Sequence, residues 1–145
     1  MKVYKIVISS VAATSLMTIF SYFVSELNRR NFKEPKVLGA LLKDALPNSK
    51  KGLAIPAGWV AHYSVGFLWA FMYSYLFEKS HMKPDFKGGL VLGGFSGLIG
   101  AGVWKLAFRI HPNPPKIAFE KFYRHLLLAH LVYMLCLMQE VRGSE

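Results

Sequence analysis

Hydrophobic and polar positions segregate into long blocks along this chain. Residues 6–25, 52–77 and 88–104 contain no Asp, Glu, Lys or Arg. A hydrocarbon core ~30 Å thick takes about 20 mostly apolar helical residues to cross. The pattern predicts spanning helices over 4–25, 57–77 and 88–108. The second opens just after Pro56, a favoured helix-start neighbour. The third stops near Arg109, because the His111-Pro-Asn-Pro-Pro115 run cannot continue a helix. A fourth span is expected over 124–140, where only 125–139 is free of charge. Its helical pattern begins earlier, near Lys116, so its first turns should lie at the membrane interface, with Glu120 and Arg124 at pairing distance. Between the first two spans, residues 36–46 place Val37, Leu38, Leu41, Leu42, Ala45 and Leu46 on one helical face, away from Lys36, Lys43 and Asp44. That segment is too short to span. It is expected as an amphipathic helix on the membrane surface, with an ordinary helix packed on the bundle end as the alternative. The expected fold is therefore all-α: one integral membrane domain over 1–145, a polytopic four-helix bundle with a short interfacial helix.

Composition strengthens this expectation. The 145 residues are 53% hydrophobic and 18% charged. A soluble domain of that size cannot hide three long uncharged helices. Disorder and a disulfide-built secreted scaffold are excluded, since Cys136 is the only cysteine. The net charge of +10 would point to nucleic acid in a soluble protein. Here the bases mass beside the apolar blocks, with no basic stripe interleaved with aromatics, so no nucleic-acid partner is expected. Eleven Lys and Arg fall on the side holding residues 26–56 and 109–124, against six on the other, including Lys2, Lys79 and Lys83. The positive-inside rule then places both termini outside the cytoplasm. The N-terminus imitates a signal peptide, but its apolar run is too long and Arg29, Arg30 and Lys33 follow as a stop-transfer flank, so a retained helix is expected.

Helices in lipid associate through close contact over small residues. Gly89, Gly93, Gly97 and Ala101 recur every four positions in the third span. Gly58, His62, Gly66 and Ala70 do so in the second. These stripes predict tight helix packing, within the chain or in a homo-oligomer or with another membrane protein. Thr14 and Thr18 supply polar intramembrane hydroxyls in the first span. Ala61-His62 and Ala129-His130 each follow an apolar helix and a basic connection. They hint at a tandem two-helix repeat.

His62 and His130 sit well inside apolar spans, whereas His81 and His111 fall in loops and His125 is expected at headgroup level. An imidazole in hydrocarbon needs a partner. A hydroxyl of the first span, Thr14 or Thr18, or the other histidine is the expected one for His62. The alternative is functional: a haem, metal or small-ligand site held by His62 and His130, or a proton-linked site. All eight acids, Glu34 among them, lie outside the charge-free blocks. That weighs against a proton or cation transporter. There is no HExxH, GxSxG or P-loop motif, so no catalytic residue is named and no cofactor is predicted.

Ala13-Thr14 with Met17-Thr18, Gly58-Trp59-Val60-Ala61-His62 with Gly66, the glycine-rich start of the third span and Ala129-His130-Leu131 together resemble small four-span bacterial inner-membrane proteins, the YagU-like and related families of unknown function. The resemblance implies a compact inner-membrane bundle in contact with the lipid bilayer, and no reaction. The expected role is structural or interactive rather than enzymatic. A ligand-binding protein using His62 and His130 and a small transporter subunit are the alternatives.

Overall fold

The computed structural model describes residues 3–80 and 85–142 and is helical throughout, with no strand among the described residues. Its five helices are α1 (Val3–Asn28), α2 (Glu34–Lys43), α3 (Ala54–Ser80), α4 (Phe86–Ile110) and α5 (Phe119–Arg142), with a 3-10 turn over Asn48–Leu53 leading into α3. The four long helices extend past the expected spans by one to five residues at each end. Of the sequence expectations, His81 and the charges on Lys2 and Lys83 fall outside the described residues.

Helix α1 ends where Arg29 turns into the left-handed region at φ 49° and the Arg30 amide donates to the Ser25 carbonyl at 3.1 Å. This 6→1 bond satisfies one of the carbonyls a helix end leaves free. The Ser25 hydroxyl then accepts the Phe32 amide at 3.0 Å and donates to the Ser21 carbonyl at 2.6 Å, which folds the chain back along α1. Pro35 in the first turn of α2 removes an amide that would otherwise need a partner. Asp85 caps α4 by accepting the Gly88 amide at 2.6 Å.

The short helix expected over 36–46 is found with shifted bounds. It begins at Glu34, stops at Lys43, and packs closely along α3 with Val37, Gly39 and Leu41 buried. Glycine makes that crossing possible. A Cβ on Gly58 would collide with the Pro35 carbonyl and the Gly39 backbone, and one on Gly39 would lie 2.8 Å from the Ala54 carbonyl oxygen.

Close packing joins α4 to α5, α5 to α1, α1 to α3 and α3 to α2. The glycine stripe of α4 is used within the chain. Cβ atoms at Gly93 and Gly97 would lie 3.0 and 2.9 Å from the Leu131 and Leu127 Cα atoms of α5. Two apolar clusters fill the interior. One is built on Met17, Ala70, Tyr73, Met134 and Leu137, the other on Phe32, Val37, Phe108, Phe122 and Leu126, with Ala101 against it. Two helices, α1 and α4, are long and apolar enough to cross a membrane.

Candidate functional site

The packing order leaves a gap. Helices α3 and α4 each lie against a neighbour, but not closely along each other. One link between them is the Tyr73 hydroxyl, which donates to the Leu92 carbonyl at 3.2 Å. Where they diverge lies a cavity of about 330 Å³. Thr14 and Met17 of α1 and Leu126, His130 and Tyr133 of α5 form its back wall. Glu34, Leu38 and Leu41 of α2 close one end. Val65 and Leu68 of α3 face Ile99 and Val103 of α4 across the mouth, and these four are exposed.

The structure brings the two intraspan histidines to this one cavity. Each is 7% exposed, and each has one nitrogen committed. The Thr18 hydroxyl donates to the Thr14 carbonyl at 2.6 Å. Its proton is thereby spent, so the 2.9 Å contact with His62 Nε2 has the imidazole N–H as donor. His130 Nδ1 lies 2.8 Å from the Leu126 carbonyl, a pure acceptor, and must donate there. In the neutral rings this leaves lone pairs on His62 Nδ1 and His130 Nε2. The His130 ring faces Gly100, where a Cβ would sit 2.8 Å from Cε1 and 3.0 Å from Nε2. Trp69 meets the same ring edge-on at 6.3 Å.

At the α2 end stands a polar cluster that the sequence pattern hides. The Ser21 hydroxyl donates to Glu34 Oε1 at 2.6 Å, and His125 Nε2 lies 2.8 Å from Ser21 Oγ and 3.4 Å from Glu34 Oε1. Since the Ser21 proton goes to the carboxylate, His125 supplies the N–H to both. Phe20 and Phe32 stack on the two faces of His125 at 5.6 and 4.8 Å. His125 is 3% exposed, and Glu34, in the first turn of α2, is 1% exposed. His111 is likewise tied in, with Nδ1 accepting the Asn113 amide and Nε2 donating to the Leu41 carbonyl at 3.0 Å.

Among the described residues, Glu34 Oε2, His125 Nδ1 and Thr14 Oγ1 are buried with no hydrogen-bond partner. The Ser-His-Glu set is not a nucleophilic relay. Such a relay needs the acid on Nδ1 and the serine on Nε2, whereas here both crowd Nε2 and Nδ1 is bare. Nor do three His, Cys, Asp or Glu side chains converge to hold a metal among the described residues.

The small residues predicted to pack do so at particular partners. A Cβ at Gly66 would collide with the Thr14 side chain, and the Gly66 carbonyl accepts the Tyr133 hydroxyl at 2.6 Å. Gly89 lies against Met138 of α5. Comparison with family models, with curated proteins and with solved structures found no match.

Proposed function

We propose that this protein is a four-span integral membrane protein of a bacterial inner membrane that binds a small, largely apolar molecule in the cavity between α3 and α4. The cavity carries the proposal. Ligand sites are concave and mostly apolar, run to roughly 300–1,000 Å³, and hold a few convergent polar groups. This one has about 330 Å³, apolar lips, and His62, His130 and Glu34 on its wall. An apolar cavity of about 150 Å³ takes up benzene, so a ligand body of roughly a dozen heavy atoms fits.

Crossings by α4 and α3 are supported by the surface as well as by length. Only 17% of the most apolar window of α4 is buried, although α4 passes the length and hydropathy test for a span. Soluble monomers rarely expose an apolar patch of that extent. Helix α3 carries no charge before Glu78, and its exposed face holds Val60, Leu68, Phe71 and Tyr75. A two-helix repeat gains support from the pairing of α1 with α3 and α4 with α5. Each intraspan histidine meets the first helix of its pair, His62 at Thr18 and His130 at Gly100. In this frame the mouth between Val65 and Val103 opens sideways to the hydrocarbon, so the ligand enters from the bilayer.

The test uses full-length protein in lipid nanodiscs and a diazirine-bearing alkane. Photolabelling should map to α3 and α4 residues around the mouth. A Val103→Trp change, which fills the mouth, should remove it. Labelling spread evenly over all exposed apolar faces, and unchanged in Val103→Trp, overturns the cavity function.

A further inference from the structure

We infer that the molecule held in this cavity carries a hydroxyl head, an aliphatic alcohol or a phenol, whose O–H donates to His130 Nε2 or His62 Nδ1. The assignment rests on the cavity function proposed above and adds the chemistry of the ligand's polar end.

It follows from where the protons lie. The His62 Nε2 proton goes to Thr18, and the His130 Nδ1 proton goes to the Leu126 carbonyl. What each ring has left is a lone pair. Glu34 lines the same cavity, and its Oε2 is buried without a partner. Tyr133, the lining phenol, has its own proton committed to the Gly66 carbonyl. The uncommitted imidazole nitrogens of the two lining histidines are therefore both acceptors. An acceptor removed from water and left unpaired is costly, so a ligand that donates is favoured over one that does not. A ketone, an ether or an ester offers no proton and would leave both imidazoles unsatisfied.

The head should also be uncharged. Glu34, the acid on the wall, already has Oε1 held by the Ser21 hydroxyl and the His125 N–H, both fixed by α1 and α5. An ammonium brought from water into an apolar cavity needs a full counter-charge and several acceptors around it. A hydroxyl needs one acceptor, and either imidazole supplies it. Trp69 of α3 and Trp104 of α4 also line the cavity and suit an aromatic head as well as an aliphatic one.

The experiment displaces the photolabelled alkane from full-length protein in nanodiscs. The competitors are unlabelled 1-undecanol, 4-pentylphenol, the methyl ether of each, and undecylamine. The expected result is that the hydroxyl compounds displace the label at concentrations at least ten-fold below their own methyl ethers. Whether alcohol or phenol leads identifies the kind of head. In His130→Leu and in His62→Leu that ratio should fall in at least one variant towards one, while the label itself still binds. An independent reading comes from nitrogen NMR of histidine-labelled protein. The His130 Nε2 and His62 Nδ1 resonances should be those of unprotonated ring nitrogens, and one of them should shift towards a hydrogen-bonded value on adding 1-undecanol but not its ether. Ethers that compete as well as the hydroxyl compounds, or an amine that outcompetes both, overturn the hydroxyl head and leave the cavity function standing. Failure of the alkane to label the cavity at all overturns the cavity function itself.

Discussion

Single residues decide how closely these helices approach. Gly66 is the sharpest case, because any Cβ there would overlap the Thr14 side chain that lies beside it. Overpacking a close contact typically costs about 1–3 kcal/mol. Gly66→Ala should lower stability by that amount in a thermal or denaturant melt of the detergent-solubilised protein. Gly94→Ala, where a Cβ would meet nothing within 4 Å, should leave it unchanged or slightly raised. Ser21 is the second test. Its hydroxyl satisfies the Glu34 carboxylate and receives the His125 N–H. Ser21→Ala strips both groups of a partner in the core and should cost about 1–3 kcal/mol in the same melt. Neither Ser21, Glu34 nor His125 stands out in the amino-acid pattern. Glu34 precedes Pro35 among basic residues and reads as a loop acid, and Ser21 and His125 are 104 positions apart. Their meeting depends on the turn through Arg29 and Phe32 and on α5 lying against α1, neither of which any local spacing encodes. His62 and His130 were legible because a polar ring inside an apolar run is conspicuous whatever surrounds it.

At the scale of elements, the four-residue glycine spacing of α4 identified a packing face, and its location within α4 was readable from the repeat alone. The partner was not, since a small-residue face suits another helix of the same chain as well as a second copy. The structure closes Gly93 and Gly97 on Leu131 and Leu127 of α5. Gly97→Leu should therefore lower the melting temperature while leaving the particle size in light scattering unchanged. A lost oligomer with a stable protomer would contradict this placement. Helix α2 shows the opposite balance. Its amphipathic pattern predicts a membrane-surface helix as well as it predicts a packed one. The discriminating feature is Gly39 opposite Gly58, two single glycines on different elements whose backbones touch. Gly39→Leu should separate α2 from α3 and open the α2 end of the cavity, which proteolysis within residues 44–53 would report as faster cleavage than in the parent chain.

For the whole molecule, helix count and order follow from the charge-free blocks, and the four long helices lie where those blocks fall. The cavity does not follow, because it is a gap left by the packing order and so a property of no single segment. If α1, α3, α4 and α5 each cross once, as proposed, residues near Ser80 lie on the opposite side from the 29–53 and 111–118 connections. The bases follow the same division, with Arg29, Arg30, Lys33, Lys36, Lys43, Lys50 and Lys51 in the first connection alone. Basic loops are retained in the cytoplasm. In a Cys136→Ser background, a cysteine at Ser80 should react with a membrane-impermeant maleimide in intact cells. A cysteine at Asn113 should react only after the membrane is permeabilised. The reverse pattern would invert the orientation and leave the four crossings intact. Reaction of both positions in intact cells would mean that α4, for all its length and exposed apolar face, does not cross.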